Sequence, residues 1–269
     1  MEARRQKQLI IGGAYALIVA AVGFSVYWTH YRPTCSDGVM NGREDGIDCG
    51  VLACGQACPA PVQALVVKSV QLAKTPAGDF DAAVELYNPN PQYGVSFGSY
   101  DLVVRDTAGN KVASRGGNEF YMLPGQTKYM AVTSVRNIPD DAVASAEIRS
   151  ITWEKVSGDP VVKLTVVRQA LTSGAGQSFF ETVFANNSDF DFDSIDVGIV
   201  VFDNAGDLIT TNTTNFQTFL SQTQRSVKVS WPFPIPADAR VYVEVGTNVF
   251  DNANFIKRNG TQEKFQQYF

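Results

Sequence analysis

YDLVVRDTAGN, residues 100–110, and VGIVVFDNAGD, residues 197–207, decide how this chain is read. Each begins as a β-branched apolar run and ends in Asp-x-Ala-Gly followed by a polar residue. That ending is a tight turn, in which Asp caps backbone amides and Gly supplies the positive φ. The two lie 97 residues apart. The same offset carries Leu123 to Leu220, and Ile138-Pro139-Asp140-Asp141-Ala142 to Ile235-Pro236-Ala237-Asp238-Ala239. Gln126-Thr127 returns one residue early, as Gln222-Thr223. Upstream the offset drifts by one, laying Tyr87-Asn88-Pro89-Asn90 over Ala185-Asn186-Asn187-Ser188. A nearly constant shift across separated turn motifs points to a tandem duplication, with a boundary near Ser157-Gly158-Asp159-Pro160.

Short alternating stretches rich in Val, Ile, Phe and Tyr fill the space between turns, as at 82–87, 128–132, 163–167, 226–231 and 240–245. No stretch after residue 60 offers three turns of helical periodicity. The expectation is an all-β chain: two tandem immunoglobulin/fibronectin-like β-sandwiches behind one N-terminal transmembrane helix. The boundaries follow as an anchor at 1–30, a cysteine-bounded spacer at 31–60, and sandwiches at 61–157 and 158–269.

Residues 9–28, LIIGGAYALIVAAVGFSVYW, carry no charge. At about 1.5 Å per residue they span a hydrocarbon core of roughly 30 Å, with Tyr27 and Trp28 placed for the interface. A cleaved signal peptide is the rival. Its apolar region runs about 7–15 residues and ends in small residues, whereas this one is longer and runs into bulky rings. Arg4, Arg5 and Lys7 precede the span. The positive-inside tendency then predicts a single pass through the plasma (inner) membrane, a cytoplasmic N-terminus and periplasmic or extracellular C-terminal domains. The whole chain is at -5 despite this basic start, so its body is acidic and nucleic acid is excluded as a partner.

Cys35, Cys49, Cys54 and Cys58 follow the span. Across a membrane the compartment is usually oxidising, so two disulfides are expected, with three pairings open. A zinc site is the alternative, but the spacing lacks paired C-x-x-C knuckles. Asp37, Asn41, Glu44, Asp45 and Asp48 supply hard oxygen atoms in the same glycine-rich segment, the donor type calcium needs. The competing account has Asp37 and Asn41 capping turns and Glu44 and Asp45 solvated.

Val84-Glu85-Leu86-Tyr87-Asn88-Pro89-Asn90-Pro91 resembles the Asn-Pro-Asn strand end of the type 2 late-embryogenesis-abundant (water-hypersensitivity) sandwiches. Residues 100–106, then Ala108-Gly109-Asn110 and Leu123-Pro124-Gly125-Gln126-Thr127, are similar to prokaryotic FxLYD-type domains. Of that signature strand only the final Asp, Asp106, is kept. The second repeat departs further, with Asn186-Asn187-Ser188 and Leu220-Ser221-Gln222 in the matching places. The resemblance implies a seven-strand fibronectin-like sandwich, often membrane-tethered, with no catalytic residues to carry over. Residues 35–50 with Cys54 and Cys58 resemble a C-x-D-G-x-x-N-x-x-E-x-x-x-D-C-G motif of bacterial surface proteins, which implies an extracytoplasmic spacer.

His30 is the sole histidine, at the membrane boundary, which removes triad, Cys-His and histidine-zinc chemistry from the outer domains. The expected role is therefore non-enzymatic: binding or structural, towards a protein partner. An accessory subunit of a secretion or pilus machine is the alternative. A glycan or peptidoglycan hydrolase would require a cleft with two carboxylates, and small sandwiches are expected to leave none. In the acidic run 189–196, acids are expected outward and Phe190 and Phe192 inward. The C-terminus, 265–269, reads as a tail or strand edge, and Asn186, Asn212 and Asn259 begin glycosylation sequons.

Overall fold

Alternation becomes strand wherever the turns punctuate it. The computed structural model describes residues 2–30, 35–58, 62–156 and 162–256. The boundary at 157–160, the C-terminal 265–269 and the Asn259 sequon lie outside the described residues. The chain forms two compact units, Met1–Pro61 and Val62–Phe269.

In the first unit, α1 is the helix Glu2–His30. Its stretch Arg4–Trp28 is long and apolar enough to cross a membrane, and none of it is buried within the protein. The cysteine segment holds one short helical turn, α2 (Val51–Cys54). Of the three open pairings, Cys35–Cys54 and Cys49–Cys58 are the ones made.

Among its described residues the second unit holds twelve antiparallel strands in two sets of six. The first set is β1 (Val66–Lys74), β2 (Phe80–Tyr87), β3 (Tyr93–Arg105), β4 (Lys111–Met122), β5 (Thr127–Val135) and β6 (Val143–Lys155). The second is β7 (Leu164–Gly174), β8 (Gln177–Asn186), β9 (Phe192–Phe202), β10 (Leu208–Phe219), β11 (Gln224–Trp231) and β12 (Arg240–Gly246). Their sheets run β1-β2-β5 and β4-β3-β6, then β7-β8-β11 and β10-β9-β12. The second set thus repeats the strand order of the first. Each set has six strands among the described residues, one fewer than the resemblance implies.

Both turns of the opening motifs form as their sequences require. Gly109 and Gly206 have φ of 85° and 93°. The Asp106 and Asp203 carboxylates accept from the amides of Asn110 and Asp207, at 2.8 and 2.9 Å.

In each set the two sheets bury their facing sides together. The first core joins Val84 and Leu86 of β2, Tyr100 and Leu102 of β3, Met122 of β4 and Val132 of β5. The second joins Phe180 and Phe184, Ile195 to Val201 on alternate residues, Phe219 and Trp231. A third, smaller cluster unites the sets: Ala73 and Ala83 of β1 and β2 meet Val200, Phe202 and Leu208, with Tyr129 and Ala131 alongside. Sheet β1-β2-β5 therefore lies against sheet β10-β9-β12, and the unit is a four-layer stack. The run Ile199-Val200-Val201-Phe202 is apolar throughout because its strand is covered on both faces.

The acidic run departs from strict alternation. Asp193 and Asp196 face outward as expected, but Asp191 is only 6% exposed and accepts from the Ser221 amide at 2.7 Å. β9 begins at Phe192, one residue later, so Asp191 belongs to the preceding loop, where its carboxylate ties that loop to the β10–β11 turn.

Candidate functional site: the cleft between the two sandwiches

The two sandwiches are pinned before any ligand is considered. Asp81, on the outer face of β2, is buried with its carboxylate accepting three hydrogen bonds: from the Ser134 amide at 3.1 Å, the Thr210 hydroxyl at 2.7 Å and the Thr211 amide at 2.9 Å. Gln71 of β1 accepts from the Leu208 amide at 2.9 Å and donates to the Gly206 carbonyl at 3.2 Å, gripping the β9–β10 turn. At the far end, the Asn248 amide group donates to the Ser96 carbonyl at 2.9 Å. The Phe250 ring lies so close to β3 that a Cβ on Gly94 would stand 2.3 Å from it.

Beside these pins the seam opens into a cleft of about 600 Å³, lined by Tyr100 of β3 and by β4, β5, β9, β10 and β12. Two hydrogen bonds cross it. The Tyr121 hydroxyl donates to Asp196 Oδ2 at 3.3 Å, and the Gln126 amide group donates to Glu244 Oε1 at 2.9 Å. Lys128 sits between them, its Nζ donating to the Tyr121 carbonyl at 3.1 Å and lying 3.7 Å from the centre of the Tyr121 ring. Desolvation pushes the Lys128 ammonium down to about 8, with the Glu244 and then the Asp196 carboxylates pulling the other way. Burial raises the Glu244 carboxyl above its ordinary range, opposed by Lys128 and by the Gln126 hydrogen bond. The Tyr121 hydroxyl is driven well up, first by burial and then by the Asp196 charge. The site is thus a half-dry polar cleft lined by one amine, Lys128, and by the carboxylates of Glu119, Asp196 and Glu244.

Expectation put no cleft here, and that is corrected. Single sandwiches do close on themselves, but this cleft lies between two of them, beside the apolar cluster with which it shares Tyr129 and Ala131. Lys128 was legible as a strand residue and nothing more. Gln126 belongs to the first repeat's Leu-Pro-Gly-Gln-Thr turn, whose counterpart Gln222 donates to Ser188 within its own sandwich. The seam role of Gln126 leaves no local signal.

The spacer carboxylates come together, chiefly on backbone. Asp48 accepts from the amides of Asp37 and Gly38 at 3.0 and 2.9 Å. Asp37 accepts from the Val39 amide and the Asn41 side chain, at 2.9 and 3.0 Å. Glu44 is buried, not solvated, and accepts from the Asn41 amide at 3.2 Å. Asp45 is exposed, with its amide donating to the Cys49 carbonyl at 3.0 Å. Cys35, Glu44 and Cys54 approach within ligand distance, yet both sulfurs are spent in a disulfide. Cys49 and Cys58 are bonded likewise, so the zinc alternative loses its thiolates.

No family model matches the chain, and no curated protein matches it. Among solved structures it is similar to a red sea bream transglutaminase, at 14% identity over 73% of this chain and 30% of that one, with a TM-score of 0.21. The chain thus spans less than a third of that enzyme, and at such a score the likeness carries no argument about activity.

Proposed function

We propose that this is a single-pass membrane protein that holds a rigid double sandwich outside the cytoplasm as a binding or structural element, without catalytic activity of its own. The observation that carries the reading is the pair of disulfides placed just beyond an unburied apolar helix. Disulfides persist in oxidising compartments, and the basic residues ahead of the helix favour the cytoplasmic side. The sandwiches then stand on the far side, fixed to each other by the seam and so able to present one surface of constant shape to a protein partner.

Alkaline carbonate extraction and protease protection test this directly. The full chain should pellet with membranes, with its sandwiches cut only from the outer side, and deletion of residues 2–28 should release it. Thiol labelling should need prior reduction. A carbonate-soluble chain, or thiols that label without reductant, would reject the reading.

For the spacer we propose calcium only as a weak ligand. Because the carboxylates of Asp37, Glu44 and Asp48 already hold backbone amides, the loop is built without it. Calcium should then change the melting temperature only at millimolar levels; a shift at micromolar levels would mark a true site. One observation favours a second reading, a glycan hydrolase: Glu244 and Asp196 line the same cleft, with Glu244 raised by burial. Each is engaged as a fastener across the seam, which supports the binding reading instead. Release of label from peptidoglycan that vanishes in Glu244→Gln would reverse that preference.

A further inference from the structure

Three strand edges border the cleft. β4, β5 and β10 are each the end strand of their sheet, so among the described residues each pairs along one side only. They contribute 118–121, 128–131 and 213–215 to the cleft wall. An open edge is a template for one more strand, and strand addition is a recurring mode of peptide capture. On β4 the Tyr121 carbonyl is already taken by Lys128. On β10, Thr213 and Asn215 are exposed to solvent.

Charge selects the occupant. Glu119, Asp196 and Glu244 face the cleft against the single ammonium of Lys128, and that ammonium is turned onto the Tyr121 carbonyl and ring. Glu119 and Asp196 are exposed, so their charge is offered outward. The walls are also mutually fixed by Tyr121 with Asp196 and by Gln126 with Glu244, so the groove is formed before anything enters it, which lowers the ordering cost of capture.

We propose that this cleft takes an extended, basic peptide segment of a partner protein, added as a strand along the β10 edge with its Lys or Arg side chains meeting Glu119, Asp196 and Glu244. This rests on the binding function proposed above and names its surface. Specificity would come from alternate side chains, since every second residue of an added strand points the same way. Acidic and neutral segments are disfavoured by the same carboxylates.

The test uses the full chain in lipid nanodiscs and a fluorescent nonapeptide of alternating Lys and Thr. Three probes accompany it: a Glu/Thr peptide of equal length, a Lys/Thr peptide N-methylated at alternate residues, and a peptidoglycan-derived oligosaccharide as competitor. Expected are binding of the Lys/Thr peptide and its weakening by roughly tenfold on Glu119→Lys or on N-methylation. Amide exchange should slow along 213–215. Glu119 is exposed, so Glu119→Lys should keep the melting temperature, and Glu119→Gln gives a milder second variant. Equal binding of the Glu/Thr peptide, indifference to N-methylation, displacement by the oligosaccharide, or no binding at millimolar peptide would each overturn the proposal. Carbonate extraction is blind to all of these, so the membrane reading stands or falls separately.

Discussion

Asn88 and Asn186 show how a single residue can close a sandwich. Both are fully buried. The side-chain amide of Asn88 donates to the carbonyls of Tyr93 and Leu123 at 2.7 and 3.0 Å, and that of Asn186 donates to Phe190 and Phe219 at 2.8 and 3.1 Å. Each clips the second-to-third strand loop onto the end of the fourth strand. The residue two further on is bound to it in both sets, since the amides of Asn90 and Ser188 donate to the side-chain oxygens of Asn88 and Asn186 at 3.0 and 3.1 Å. It also means that the Asn186 sequon has no free amide to glycosylate in the folded chain. Replacing Asn186 by Ala strands two carbonyls and should cost about 3 kcal/mol, measured by urea unfolding. Thr182 offers the opposite case: among the described residues its hydroxyl is the buried side-chain group with no partner. Thr182→Val should gain about 1 kcal/mol, raising the melting temperature by roughly 2–4 °C. A loss instead would mean a bridging water.

At the scale of the element, β2 and β9 explain why two sandwiches fuse instead of swinging apart. The outer face of β2 presents Asp81, Ala83 and Glu85, and that of β9 presents Gly198, Val200 and Phe202. Ala73 and Ala83 are small and buried in the seam, while Phe202 fills the space with Tyr129 and Tyr242 at ring-centre distances of 5.7 and 5.6 Å. Asp81 then fixes the register, because its three donors come from two different strands of two different sandwiches. Asp81→Ala removes the acceptor of the buried Thr210 hydroxyl and Thr211 amide, at about 3 kcal/mol. Loss of the β10 anchor should appear first as faster amide exchange at Thr211. An unchanged exchange rate there would show that the apolar patch alone sets the seam.

For the whole molecule, the cleft couples stability to pH. The Lys128 ammonium is depressed to about 8 from 10.5. Between these values the unfolded chain binds the proton and the folded chain does not, so this group makes stability rise with pH through that window. The buried hydroxyls of Tyr100 and Tyr121, both held up by burial, oppose it only above about pH 10. Midpoints of urea unfolding should therefore increase from pH 8 to about pH 10 in the native chain. In Lys128→Met that increase should flatten. A parallel rise in both proteins would remove Lys128 as the cause.

The sequence by itself determined the apolar helix, the strand and turn order, the 97-residue offset between matching turn motifs and the cysteine framework. All of these rest on local periodicity, on glycine and aspartate turn chemistry, or on an offset counted along the chain. Even so, the Asp191 position slipped by one residue, because alternation alone does not say where a strand begins. The disulfide pairing, the six-strand count, the seam and the cleft were decided only by the tertiary structure. The physical reason is that Asp81, Gln126, Lys128 and Glu244 are ordinary strand or turn residues within their own segments. Their burial, their partners and the displaced proton affinities of Lys128 and Glu244 exist only once the outer faces of two sheets, distant in sequence, meet.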